Sequence, residues 1–179
     1  MDRAELEFMP ETTMPQLLEP QIIADIQDNS RKITNRYIAA LKEIDPKKEY
    51  ILEGQTFHSL YWLVGHLAWA EHFLCVEATT DKKSEIPWLE RFKIGTTLSA
   101  ETDLPSFEEV LRVFDSVHEE SMHTIRALTP EELDQENFRA IGFGAAPLKR
   151  VPLYHCIRHE PVHAGQMAWI CKLNGIKMF

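Results

Sequence analysis

The chain has 179 residues, 44% hydrophobic and 26% charged, a size and balance that predict one globular domain able to bury roughly 70% of its unfolded surface. Its formal charge of −9, from 19 basic and 28 acidic residues, excludes nucleic acid as an expected partner. Phosphate binding needs clustered Lys and Arg, and only the doublets Lys47-Lys48 and Lys82-Lys83 occur. The first residues lack the apolar core of a signal peptide, and every apolar run is too short or too interrupted to span a bilayer, so no membrane association is expected. Cys75, Cys156 and Cys171 form no CxxC pair and suit a reducing compartment, and the expected location is cytoplasmic.

Residues 1–15 carry two prolines and little periodicity, and read as a loose arm before a single domain over 16–179. From 16 to about 44, Leu18, Ile22, Ile26, Ile33, Tyr37, Ile38 and Leu41 recur at helical spacing, which predicts an amphipathic helix with that stripe against the core. Asp45-Pro46 ends it. Residues 46–55 read as a connection, and Thr56 as the N-cap of a second helix running to about residue 78. That helix is apolar around nearly its whole circumference, which places it deep in the fold.

Residues 79–105 form a long connection with a small apolar cluster at Pro87-Trp88-Leu89 and Phe92, of the length that usually covers or serves a site. Ser106-Phe107-Glu108-Glu109 reads as a capping box opening a third helix, and Thr129-Pro130-Glu131-Glu132 as a second box opening a short one. Residues 134–150 are irregular, with a turn at Gly142-Phe143-Gly144. The last helix is predicted from Val151-Pro152 to Asn174, with Gly175 as its C-terminal cap. Four long helices and no strand alternation give an all-α four-helix bundle.

The eight histidines are distributed unevenly. His118 and His123 fall on what reads as a solvated face of the third helix, His72 at a partly exposed position, and His58 in the first turn of the second helix. His66 lies instead on an apolar stripe among Trp62, Leu63, Trp69, Ala70 and Phe73, where burying two ring nitrogens without partners is costly. It reads either as a core histidine bonded to a neighbouring helix or as a ligand. His155, His159 and His163 recur every fourth residue on the last helix. Each step advances about 400° and about 6 Å, so neighbours stack but the ends drift by about 80°.

His159 and His163, nearer the middle of the helix, make the better pair, with His155 in their surroundings. With His66 they form a three-histidine metal site that keeps one position open for water or substrate, as catalytic zinc sites do. Gly65 and Gly165 are small enough to let neighbours approach. His159-Glu160-Pro161-Val162-His163 also matches the HExxH pattern of zinc proteases. That reading is disfavoured, because no His, Asp or Glu follows His163 and Pro161 interrupts the motif.

The segments Trp62-Leu63-Val64-Gly65-His66-Leu67-Ala68-Trp69-Ala70-Glu71 and His159-Glu160-Pro161-Val162-His163-Ala164-Gly165-Gln166 together resemble the DinB-like family of metal-dependent helical bundles. The resemblance covers about residues 16–176. It implies an up-down-down-up four-helix bundle, often a homodimer, with zinc or nickel held by His66, His159 and His163. Relatives in that family include transferases that activate a low-molecular-weight thiol on the metal. The expected function is therefore a metal-dependent thiol transferase acting on a small-molecule electrophile, with Glu160 and Gln166 orienting the nucleophile and Tyr61 and the rings around His66 lining the pocket. The alternative is a metal-binding bundle without turnover that acts through dimerisation or partner contact. A third reading makes the histidines packed core residues that bind nothing.

Overall fold

Every residue from Leu60 to Glu71 is buried, and the other elements are arranged around this segment. The computed structural model describes residues 18–96, 98 and 103–178, so the expected N-terminal arm lies outside the described residues. Its long helices are α1 (Glu19–Ala40), α2 (Leu60–Glu71, continued by a π-helical turn over His72–Glu77 and a last turn over Ala78–Thr80), α3 (Phe107–Ala127) and α4 (Arg150–Leu173). A one-turn helix, Pro130–Leu133, and a 3₁₀ turn, Leu89–Phe92, sit in the connections.

Side-chain pairs give the helix directions. On α1 and α4, Glu19 meets Arg150 at 3.0 Å and Gln27 meets Glu160 at 2.6 Å, so the two run parallel. On α2 and α3, Tyr61 reaches Pro105 at 2.8 Å and Glu71 reaches His118 at 2.8 Å, again parallel. On α1 and α3, Arg126 pairs with Asp25 and Phe114 with Arg31, which is antiparallel. The result is the all-α up-down-down-up bundle expected from the sequence. No helix of the described residues is long and apolar enough to cross a membrane.

The capping chemistry is local and mostly as predicted. Thr129 and Glu132 form a complete capping box. Ser106 caps α3 by accepting from the Glu109 N–H, but the Glu109 carboxylate turns to Arg112 at 2.6 Å and does not return to complete the box. Gly175, at φ +71°, follows the end of α4 as expected. Pro161 sits inside α4 on its outer side, and the helix continues through it.

Two expectations about the first 60 residues are corrected. Residues 46–55 are more than a linker: Tyr50–Leu52 and Gln55–Phe57 pair as an antiparallel hairpin. Its two turn residues, Glu53 and Gly54, both have positive φ (50° and 77°), the geometry that keeps a two-residue hairpin in step with strand twist. The hairpin uses Thr56 as a strand residue, so the N-cap of α2 moves to Ser59, whose hydroxyl accepts from the Trp62 N–H at 3.3 Å.

The second correction concerns α1. Its predicted apolar stripe faces the core only at its C-terminal end, where Leu41 is buried and Tyr37 and Ile38 pack against the core; Leu18, Ile22, Ile26 and Ile33 are exposed, while Ile23, Ala24, Gln27, Arg31 and Thr34 are buried. The reason is electrostatic. Glu71 on α2 and Glu160 on α4 are both buried, and Arg31 bridges them at 2.5 and 2.8 Å while donating to the Phe114 carbonyl at 3.0 Å. Its guanidinium also lies 3.5 Å from the centre of the Phe114 ring. Gln27 donates to Glu160 at 2.6 Å and Glu71 at 3.3 Å. Buried carboxylates without partners cost several kcal/mol each, which outweighs turning three isoleucines outward at roughly 2 kcal/mol apiece.

His118 completes this network, contrary to its reading as a solvated residue. Its Nδ1 lies 2.8 Å from Glu71 and its Nε2 3.3 Å from Asp28. Burial opposes its charge, but the hydrogen bond and charge of Glu71 prevail and raise its pKa. His72 is likewise buried rather than partly exposed, between Glu77 at 3.5 Å and Glu120 at 3.9 Å. His123 is exposed, as expected.

Candidate metal centre

α2 and α4 cross antiparallel, and at the crossing three imidazoles meet. His159 Nε2 lies 3.3 Å from His66 Nε2 and 3.1 Å from His163 Nε2, and the three ligand atoms lie within 4.8 Å of one another. Four tetrahedral ligands at the usual Zn–N length of about 2.0–2.1 Å are separated by about 3.3 Å, so the spacing matches a shared ion. His66 is 2% and His163 9% exposed, with His159 intermediate.

The hydrogens can be assigned from the partners. His66 Nδ1 is 2.8 Å from the Phe92 carbonyl, and a carbonyl only accepts, so Nδ1 carries the hydrogen and Nε2 presents a lone pair. His163 Nδ1 is held the same way by the Gln166 side-chain oxygen at 2.8 Å, so its Nε2 is also a lone pair. His159 Nε2 stands between two acceptors, and one hydrogen there would satisfy only one of them well. A cation accepts from all three. The residues present therefore fit a divalent metal, and imidazole donors suit zinc, nickel, copper and iron.

Ligation needs neutral rings, and the site keeps them neutral. Burial lowers the His66 pKa to about 4, against the Phe92 hydrogen bond, and burial with the neighbouring His163, His66 and His155 lowers His159 to about 3. Burial lowers His163 as well. Stacked rings hold His66 in place: Trp62 at 4.5 Å and 12°, and Trp69 at 5.7 Å and 29°.

Of the sequence-predicted residues, the fold thus gathers His66, His159, His163 and Gln166. It does not bring Glu160 to them: one residue along α4 turns its side chain about 100° away, into the grip of Arg31 and Gln27. A carboxylate held there has no geometry for the HExxH base. Tyr61 likewise points elsewhere, its hydroxyl donating to the Pro105 carbonyl and its ring against Phe92 and Phe107. His155 stays outside the cluster, stacked on Phe143 at 4.1 Å, its Nδ1 accepting from Arg158 at 3.1 Å.

Sequence reasoning missed Phe92. Its carbonyl orients His66, and its ring fills the notch at Gly65, where an added Cβ would fall 2.2 Å from that ring. The signal was present as the apolar cluster in the long connection, but its target was not. Gly65 does admit a close neighbour, which is this turn and not a helix. Gly165 faces open space, so no neighbour uses it.

The arrangement defines a class: an up-down-down-up helical bundle with a three-histidine cluster, compatible with a divalent metal, between its second and last helices. The model of the DinB superfamily matches residues 13–167. The chain belongs to the DinB superfamily. No curated protein matches it.

Proposed function

We propose that His66, His159 and His163 hold one divalent metal, zinc or nickel, through their Nε2 atoms, and that the protein is a metal-dependent transferase that activates a low-molecular-weight thiol toward a small electrophile. The observation that carries this reading is the convergence of three Nε2 atoms at ligand spacing, two of them fixed as lone-pair donors by Phe92 and Gln166. Bound there, a divalent cation with an open position supplies a Lewis acid that makes a thiol or water nucleophilic at neutral pH. The protein's part is orientation. Phe92 and Gln166 set the tautomers, Trp62 and Trp69 fix the His66 ring plane, and the buried surroundings keep the rings unprotonated.

Elemental analysis of the purified protein tests the first half, with about one metal per chain expected. A thermal-shift screen of the loaded protein with bacillithiol, glutathione, mycothiol and coenzyme A tests the second. Stabilisation by one thiol supports the transferase, and metal without any thiol response returns the reading to a non-catalytic metal-binding bundle.

A specific observation favours self-association beside either activity. Leu18, Ile22, Ile26 and Ile33 line one outer face of α1 at helical spacing, and each is 43% exposed or more. We read this face as the contact of a homodimer, the state that also supports the non-catalytic alternative.

A further inference from the structure

A trough of about 410 Å³ opens between the hairpin and the last turns of α4. Leu52 and Phe57 line it from the hairpin, Trp169 and Leu173 from α4, and its described lining contains no Asp, Glu, Lys or Arg. Its volume falls in the range of small-molecule sites, and such a wall strongly disfavours a charged occupant.

Two polar residues of its lining, Gln166 and His58, connect the trough to the metal centre. Gln166 lines it while its side-chain oxygen holds His163 Nδ1 at 2.8 Å, which leaves the amide NH₂ to donate elsewhere. His58 lines it too, stacked 3.6 Å from Trp62, the ring that in turn stacks on His66. Gln166 thus touches a ligand histidine directly, and His58 reaches one through a single intervening ring. Tyr50 also lines the trough, and its hydroxyl accepts from Asn174 at 2.7 Å.

We infer that this trough is the subsite for an uncharged, apolar arm of the small molecule the metal centre acts on, an alkyl or aryl chain carrying a hydrogen-bond acceptor for the Gln166 amide. Turnover of that molecule rests on the function proposed above; its binding does not. Gln166 then links the two sites: an occupant that bonds its NH₂ restrains the same amide that orients His163. Ligand and metal affinities are coupled through it, each raising the other by the same factor.

The test is calorimetric titration of a homologous series of neutral methyl ketones, from 2-butanone to 2-nonanone, into metal-loaded and metal-stripped protein. The expected result is a tightening of about fourfold per added methylene until the trough is filled. Leu52→Glu and Leu173→Glu, at positions 52% and 49% exposed on opposite walls, are expected to fold and to abolish that dependence while leaving metal content unchanged. A flat affinity along the series overturns the inference, as does a chain-length dependence that survives both substitutions. Wild-type protein that carries no metal yet shows the dependence, and loses it in both variants, would overturn the proposed function and leave the subsite standing.

Discussion

The Nδ1 of His66 donates to the backbone carbonyl of Phe92 at 2.8 Å, so the orientation of a histidine deep in α2 is set by a 3₁₀ turn 26 residues further along the chain. The same Phe92 packs its ring into the notch of Gly65. A backbone acceptor cannot be mutated directly, but its position can be moved through that notch.

Gly65→Ala places a methyl group 2.2 Å from the Phe92 ring and forces the turn outward. Overpacking of this kind costs about 1–3 kcal/mol, and loss of a partner that orients a metal ligand typically costs about 10–100-fold in metal affinity. Urea denaturation and competition titration with a chromogenic chelator read the two effects. Unchanged metal affinity would show that Phe92 does not orient the site.

Single substitutions His66→Ala, His159→Ala and His163→Ala are each expected to release the metal, whereas His155→Ala retains it. Elemental analysis after gel filtration distinguishes them. Equal metal content in all four variants and the parent would sink the three-histidine assignment.

Acid should act on folding before it acts on the folded site. His66 and His159 titrate near 4 and 3 in the folded protein but near 6.5 once unfolded, so between about pH 6.5 and 4 the unfolded chain binds more protons. Their contribution to stability is therefore complete above pH 6.5 and is lost progressively as the pH falls through that window. Metal-free protein should show a falling urea midpoint from pH 7 to 5. A midpoint that rises over that range contradicts the neutral buried state of these rings.

Arg31→Met leaves Glu71 and Glu160 buried without their shared cation. Breaking a buried pair in this way costs about 3–5 kcal/mol, a larger loss of stability than Gly65→Ala is expected to cause. A denaturant midpoint within error of the parent would mean that the carboxylates are neutral or otherwise compensated.

The outer face of α1 predicts an association that charge should disrupt. Ile22→Asp with Ile26→Asp is expected to convert a dimer to a monomer in light scattering without loss of helical circular dichroism. A monomeric parent protein would rule out the dimer outright.

Much of this protein is legible in its sequence because the determinants are local. Capping residues, the Gly175 stop and the apolar circumference of α2 act within a turn or two of themselves, and they fix where helices begin, end and bury. The i, i+4 spacing of His159 and His163 fixes that both nitrogens can reach one point, and the apolar setting of His66 marks it as costly unless partnered.

Tertiary structure decided what depends on charges far apart in the chain. Hydrophobic periodicity on α1 pointed Ile22, Ile26 and Ile33 inward, yet Glu71 and Glu160 recruit Gln27 and Arg31 from 40 to 133 positions away and turn those isoleucines outward, while Leu41 at the end of the stripe stays buried. For the same reason His118 became a half-buried partner of Glu71, and Glu160 became a partner of Arg31 and not a neighbour of the metal cluster. A periodic pattern records how apolar each face is, but it carries no record of which buried charge that face must meet. At the site itself, sequence named the three histidines, and only the fold supplied Phe92, because a backbone carbonyl looks the same at every residue until a ring nitrogen is brought to it.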